Sequence, residues 1–145
     1  MRQLRMQDYL DLKEELRSRI AKLVPEIVQS AYFYGSIATG DVSPGLSDPD
    51  VYVVLKTEAG ELPPHILKTL FRQLWDLAVH PIYHQVWGVH WIHFDTEVNV
   101  DKTLSNPLAL LTFLYRSEFV AGSRLALPKP DYDSIMKWMR EFMAP

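Results

Sequence analysis

The sequence predicts an α/β (α+β) fold in which a small mixed β-sheet is packed by helices that cover one face. Two patterns point to this fold. Apolar residues recur every three or four positions in several segments, which is typical of amphipathic helices. Short runs rich in β-branched and aromatic residues alternate with those segments and are typical of strands. With 145 residues and no internal repeat or long linker, the chain 1–145 is expected to form one domain.

In the first half of the chain, four elements are predicted in order. The apolar residues of 9–27 are separated by charged residues and predict an amphipathic helix that Pro25 ends or kinks. Residues 29–35 predict the first strand, and the following 36–41 stretch predicts a short helix. The apolar run at 50–56 predicts the second strand.

The second half continues to alternate helix and strand signals. Pro63-Pro64 suits a helix start, and the apolar stripe that follows predicts a helix that His80-Pro81 stops. Aromatic and β-branched residues predict the third strand at 85–94. Asn106-Pro107 is typical of a helix cap. The remaining predicted elements are a helix at 108–115, a short strand at 118–127 interrupted by Gly122, and an amphipathic helix at 131–142.

Composition argues against several classes of protein. The formal net charge of −3 disfavours a protein built around a broad basic surface for nucleic acid. The absence of cysteine removes disulfides and thiolate zinc sites, which fits a cytoplasmic protein. The N-terminal residues lack an apolar signal core, and no run approaches membrane-spanning length. A soluble cytoplasmic protein with no membrane contact is therefore expected.

Two motifs joined by a loop indicate a metal and phosphate site. Gly35-Ser36 follows the first predicted strand, and Asp48-Pro49-Asp50 begins the second. Because side chains alternate across a strand, Asp48 and Asp50 are expected to share a face and to hold one or two hard divalent cations. Gly35 lets the backbone approach a phosphate, and the Ser36 hydroxyl can donate to its oxygens. On its own, an acidic pair in a turn is more commonly just solvated.

The segment 33–55 resembles the signature of the nucleotidyltransferase superfamily related to DNA polymerase beta. That signature is a hydrophobic strand, Gly-Ser, a polar spacer, and Asp-x-Asp at the start of the next strand. The resemblance implies a nucleoside triphosphate, ATP, as donor, with Mg²⁺ or Mn²⁺ held by Asp48 and Asp50. It also implies that Ser36 and the Gly35 turn hold the outer phosphates while a nucleoside monophosphate passes to an acceptor hydroxyl.

One position departs from the pattern of that family. Active members usually carry a third acidic residue, flanked by hydrophobic residues, on the third strand. Here His90 has hydrophobic neighbours on both sides, and we predict that it lines the site and accepts the proton of the acceptor hydroxyl. His93 is the second candidate, three positions along and thus on the opposite strand face. Asp95 and Glu97 rank below His90, since loop carboxylates are more often solvated.

Two basic residues are candidates to neutralise triphosphate charge. Lys56 follows the second predicted strand, and Arg124 follows Gly122. An ordinary exposed basic residue is the more common interpretation of both. The nucleotide contacts therefore depend on the Gly-Ser turn and the acidic pair.

Two functions remain open from the sequence. The first is an enzyme that transfers a nucleoside monophosphate to an unidentified acceptor. The second is a noncatalytic nucleotide-sensing or protein-interaction module that kept the fold but lost the third acid. The chain length fits minimal relatives that act on protein partners, such as antitoxin-type nucleotidyltransferases, better than relatives with a large acceptor domain. A homodimer would be another way to complete the cleft.

Overall fold

A computed structural model describes residues 3–85 and 92–143 of the chain. Its strands are β1 (Val28–Tyr34), β2 (Asp50–Leu55), β3 (Ile92–Thr96) and β4 (Ser117–Gly122). They form a four-stranded sheet in the order β3-β2-β1-β4. β1 is antiparallel to β2 and to β4, whereas β3 runs parallel to β2. This mixed sheet with its helices confirms the predicted α/β class.

The helices alternate with the strands along the chain. Those of the described residues are α1 (Met6–Ala21), α2 (Ser36–Thr39), α3 (Pro64–Leu74), a 3₁₀ helix at Trp75–Val79, α4 (Pro81–Gln85), α5 (Val100–Leu104), α6 (Pro107–Arg116) and α7 (Tyr132–Met143). Not one of them combines the length and apolar composition that crossing a bilayer requires.

One face of the sheet, which we call the closed face, is covered where β1 and β2 form it. It is formed by alternate residues of β1 and β2, and Phe33, Val51 and Val53 on it are completely buried. Side chains from α1 and α3 complete this core, among them Leu16 and Leu70. The alternation of β1 and β2 therefore directs one set of side chains into the main hydrophobic core.

The opposite face, which we call the open face, carries a smaller cluster under α5 and α6. Tyr32 and Tyr52 both meet Phe113 of α6 edge to face, with ring centroids 5.5 and 4.8 Å apart respectively. Val100 and Leu104 of α5 complete the cluster. Helices thus pack on both faces of the sheet, and the expectation that they cover one face is wrong.

The end of the opening helix differs from the structure because apolar spacing continues past it, whereas the stop predicted at His80-Pro81 agrees with the end of the 3₁₀ helix at Val79. The opening helix ends at Ala21, although Leu23 and Ile27 beyond it remain buried in the same core. Pro81 ends one helical segment and begins another, since proline suits the first turn of a helix. The short helix α5 was not predicted. At α6 the cap is confirmed, because the Asn106 side chain accepts hydrogen bonds from two backbone N–H groups.

Two predicted strands are also corrected. The third was expected at 85–94, but Gln85 ends α4 and β3 covers Ile92–Thr96; residues 86–91 lie outside the described residues. The fourth was expected to continue to 127, but it ends at Gly122. Gly122 has φ +89°, and a Cβ there would lie 2.3 Å from the Gln29 carbonyl oxygen. This close approach requires glycine and turns the chain away from β1.

Candidate functional site

The Gly-Ser turn and the acidic motif meet at one end of β1 and β2. Asp50 begins β2 and pairs with Tyr34, the last residue of β1. Gly35 comes next with φ +69°, a left-handed conformation that favours glycine. A Cβ on Gly35 would lie 3.4 Å from Asp50 Oδ2. The structure therefore brings the turn that leads into Ser36 against the Asp50 carboxylate.

The loop before Asp48 is held by a tyrosine from the opening helix. Tyr9 of α1 is buried and donates its hydroxyl to the Ser47 carbonyl at 2.8 Å. The same hydroxyl accepts a hydrogen bond from the Gly45 N–H at 3.1 Å. In the sequence, Tyr9 is one residue of the apolar stripe that predicts the opening helix. A buried tyrosine needs a hydrogen-bond partner for its hydroxyl. A tyrosine in an apolar stripe therefore indicates a polar contact, although the sequence does not identify the partner.

A second tyrosine holds the residue between the two acids. Tyr83 of α4 is buried and donates its hydroxyl to the Pro49 carbonyl at 3.2 Å. Burial raises the pKa of Tyr83, and the negative charges of Asp50 and Asp48 raise it further. The contact is not evident from the sequence, because the pattern around Pro81 does not predict α4 as a separate helix.

Lysine and arginine side chains of the described residues do not balance the negative charge of the acidic pair. Burial raises the pKa of Asp50 to about 7, and the nearby Asp48 carboxylate adds to the increase. Burial and the same two carboxylates raise the pKa of Tyr34. Within 3–85 and 92–143, no lysine or arginine lies within ion-pair distance of either acid. A partly buried carboxylate pair without a lysine or arginine partner favours binding of a cation.

His93 faces this pair from the neighbouring strand. It pairs with Tyr52 in the parallel register, so it lies on the open face with Asp50. Its Nε2 is 4.0 Å from Asp50 Oδ1, and its ring meets the Tyr34 ring edge to face at 5.4 Å. Ile92 and Phe94 flank it along β3. His93 thus has the hydrophobic neighbours and the orientation that the resemblance assigns to a third acid.

Three other residues are candidates for the place of the third acid, and the structure does not bring either of the two that it describes against Asp50. His90 lies outside the described residues, so its predicted role as proton acceptor stays a prediction. Asp95 accepts hydrogen bonds from the Tyr52 and Thr103 hydroxyls, which fixes it within the open-face packing. Glu97 accepts from the N–H and hydroxyl of Thr57. These contacts give Asp95 and Glu97 structural roles.

Neither basic candidate lies near the acidic pair along the sheet. Lys56 follows β2 at the end opposite Asp50, about 20 Å away along an extended strand. Arg124 follows β4 at the end that pairs with Ser30, and its guanidinium stacks over the Phe119 ring at 4.4 Å. Both positions fit the interpretation of ordinary surface cations.

An open cleft extends from the site across the open face. Its volume is about 600 Å³, within the range of small-molecule sites. Tyr34 and His93 line it beside Asp50, and α5 and α6 form its other wall. The remaining lining residues are Tyr52, Lys102, Thr103, Asn106, Leu108, Ala109, Thr112 and Phe113. The cleft therefore offers aromatic and aliphatic surface with a few polar groups next to the carboxylates.

Comparison with known protein families agrees with this arrangement. A family model described as a nucleotidyltransferase domain matches residues 13–102, which include the Gly-Ser turn, the acidic pair and β3. The chain belongs to the nucleotidyltransferase domain family. No curated protein sequence matches it.

Two solved structures show distant similarity to this nucleotidyltransferase domain. A crystal structure of a toxin–antitoxin with AMP-PNP has 12% identity and a TM-score of 0.42, covering 89% of this chain and 88% of that one. A structure from Sulfolobus solfataricus, described as a candidate nucleotidyltransferase, has 15% identity and a TM-score of 0.36, covering 66% and 77%. Both TM-scores are low, so the family assignment depends on the sequence match.

The donor atoms of the candidate site are of the kind that could hold a divalent cation together with a phosphate-bearing molecule. In the described part of the chain, no three histidine, aspartate or glutamate side chains are gathered closely enough to hold a metal ion by themselves. Asp48 and Asp50 would supply carboxylate oxygens to the cation. Phosphate oxygens and water would occupy its remaining coordination positions. Mg²⁺ is commonly bound in this way, through one or two carboxylates together with substrate phosphates.

Proposed function

We propose that this nucleotidyltransferase-family protein binds a nucleoside triphosphate, ATP, with Mg²⁺ or Mn²⁺, and transfers a nucleoside monophosphate to an acceptor hydroxyl in the cytoplasm. The observation that carries the proposal is the partly buried pair Asp48 and Asp50 against the Gly35 turn. Their negative charge has no lysine or arginine partner among the described residues. A cation and a triphosphate complement such a pair together.

Each side chain has a distinct task in this reaction. Asp48 and Asp50 hold the cation, and the cation supplies positive charge that neutralises the triphosphate and stabilises the displacement. The Ser36 hydroxyl and the backbone of the Gly35 turn donate to the outer phosphates, which orients the leaving pyrophosphate. His90 remains the predicted acceptor of the proton. The cleft beside Tyr34 provides room for the rest of the substrates.

A noncatalytic module is the second candidate, and one observation favours it. His93, not a carboxylate, faces Asp50 from β3 at 4.0 Å. A site that lacks the third acid could keep nucleotide affinity while turnover is lost. In that case the protein would act as a nucleotide sensor or as an antitoxin-like partner of another protein. Under the enzyme proposal, a protein partner supplies the acceptor hydroxyl or a second copy of the chain completes the cleft.

Pyrophosphate release from ATP with Mg²⁺ or Mn²⁺, measured over a panel of small-molecule and protein acceptors, tests the enzyme proposal. We expect Asp48→Asn and Asp50→Asn each to lower turnover at least about 100-fold, because charge stabilisation in the displacement is lost. Asp133→Asn is the matched control, since Asp133 is an exposed carboxylate at the start of α7. It should leave turnover unchanged.

The outcomes separate the two candidate functions. Metal-dependent binding of a nonhydrolysable ATP analogue without turnover on any acceptor would favour the module. Turnover that survives in both Asp48→Asn and Asp50→Asn would contradict the assignment of the site. Binding of neither nucleotide nor cation by the folded wild-type protein would contradict both functions.

A further inference from the structure

His93 is the one non-carboxylate metal-binding side chain that the described residues place against the acidic pair. Its strand β3 lies beside β2, and the register puts it opposite Tyr52, on the face that also carries Asp50. The Tyr34 ring lies edge to face against its imidazole and limits how the ring can turn. The side chain is 44% exposed, so an ion arriving from solvent can reach it.

The distance between His93 and Asp50 is compatible with a shared cation. Two donor atoms that bind one ion cannot be further apart than the sum of their two bond lengths. In zinc sites an imidazole nitrogen and a carboxylate oxygen each lie about 2.1 Å from the metal, and for such bond lengths that sum is about 4.2 Å. His93 Nε2 and Asp50 Oδ1 are 4.0 Å apart, which meets this limit. The separation is also longer than a direct hydrogen bond.

We propose that His93 is a metal ligand that shares a cation with Asp50, and that its nitrogen shifts the preference of this site from Mg²⁺ towards first-row transition ions. The inference rests on the proposed function, since it uses the same acidic pair, and it adds the class of metal. Mg²⁺ strongly prefers oxygen ligands, whereas imidazole is a good ligand for transition ions. Replacing an acid by histidine at this position therefore changes which ion binds best.

Mn²⁺ is the probe because it is paramagnetic and its spectra report a bound nitrogen directly. It also accepts oxygen ligands, so the change of preference between wild type and the His93 variants measures what the imidazole contributes. Titration of the full chain with Mn²⁺, followed by electron paramagnetic resonance, gives its dissociation constant, and competition gives that of Mg²⁺. Electron spin echo measurements then detect the nitrogen of a bound imidazole. We expect wild type to bind Mn²⁺ at least about tenfold more tightly than Mg²⁺ and to show the nitrogen signal.

Two substitutions at the same position make the test specific. His93→Asp should bind Mg²⁺ more tightly and lower the Mn²⁺ to Mg²⁺ preference at least about tenfold, because it restores an all-oxygen set. His93→Asn, which is closer in shape, should weaken Mn²⁺ binding about tenfold and lose the nitrogen signal. His65→Asn is the control, since His65 is exposed at the start of α3 and should leave all three quantities unchanged. Circular dichroism verifies that each variant is folded.

The result that overturns the inference is an unchanged metal preference in both His93 variants, or a nitrogen signal that persists in folded His93→Asn. In either case Asp50→Asn distinguishes this failure from failure of the proposed function. If Asp50→Asn abolishes Mn²⁺ binding, the carboxylate site stands and only the histidine assignment is wrong. If Asp50→Asn binds Mn²⁺ as wild type does, the proposed site itself is wrong.

Discussion

The closed and open faces of the sheet are built from alternate residues of the same strands, yet they differ in packing. On the closed face Phe33, Val51 and Val53 are completely buried beneath α1 and α3. On the open face His93 keeps 44% of its side chain exposed, and a cleft of about 600 Å³ separates parts of the sheet from α6. One face supplies the packing that stabilises the fold, and this leaves the other face free to expose polar groups.

The largest expected effect is on the closed face. Phe33→Ala should lower the free energy of unfolding by about 3–5 kcal/mol, because it leaves a cavity in a fully buried position. Lys13 and Arg17 also lie over the Phe33 ring, at 5.4 and 5.2 Å, and would lose that contact. Urea denaturation monitored by circular dichroism measures the change.

Phe142→Ala is the control for this comparison, since Phe142 is 76% exposed on α7. Its ring stacks on that of Trp138 at 5.2 Å, so the free energy of unfolding should fall by about 1 kcal/mol at most. Equal losses for Phe33→Ala and Phe142→Ala would show that the closed face does not carry most of the stability.

The next effect concerns Asp50 on the open face and depends on pH. Its pKa is raised from 3.8 to about 7 in the folded chain, so the folded state holds the proton more strongly than the unfolded state. Stability is therefore highest below pH 4 as far as this group is concerned, and it falls as pH rises towards 7. In EDTA at pH 8, Asp50→Asn should be more stable than wild type, on the order of 2–4 kcal/mol.

Thermal and urea unfolding at pH 5 and pH 8 measure this difference, and comparison with wild type cancels the titration of other groups. Adding Mn²⁺ at pH 8 should stabilise wild type and leave Asp50→Asn unaffected, because the bound ion compensates the carboxylate charge. Asp133→Asn serves as the exposed control. If Asp50→Asn is as stable as wild type at both pH values, the ionised Asp50 carboxylate does not destabilise the open face.

The smallest effect concerns the contact between Tyr9 of α1 and the loop before Asp48. Tyr9→Phe removes the hydroxyl that bonds Gly45 and Ser47, so the free energy of unfolding should fall by about 1–2 kcal/mol. Mn²⁺ affinity should fall as well, because the loop before Asp48 is less firmly held. Urea denaturation and Mn²⁺ titration check the two quantities.

Tyr115→Phe is the matched control for that prediction. Tyr115 is 65% exposed and its hydroxyl meets that of Tyr132 at the surface. The control should change stability by less than about 0.5 kcal/mol and leave Mn²⁺ affinity unchanged. Unchanged Mn²⁺ affinity in Tyr9→Phe would mean that the loop keeps its conformation without the hydroxyl.

The parts of the fold that local patterns determine were predicted correctly. The Gly-Ser turn, the short helix after it and the start of β2 at Asp50 follow from strong local signals. Helix ends were less predictable, because Leu23 and Ile27 continue the apolar spacing after α1 has ended. A buried position carries an apolar residue whether it lies in a helix or just beyond it. Apolar spacing alone therefore does not show where a helix ends.

The site was only partly predictable, for a different physical reason. The acidic pair is local in sequence, but the partners of its loop come from distant elements. Tyr9 and Tyr83 reach the loop from α1 and α4, and β3 brings His93 to Asp50 from more than forty positions along the chain. Sequence ranking placed His90 ahead of His93, since neither strand register nor strand start can be read from apolar neighbours alone.

The hydroxyl of Tyr9 also determines how short a working fragment can be. The family match begins at residue 13 and ends at residue 102, so a fragment trimmed to that match would keep both motifs. It would lack Tyr9, and the chain around Ser47 would lose an anchor that lies 38 positions earlier in sequence. The segment that matches the family model is therefore shorter than the segment needed to hold the loop before Asp48 in place.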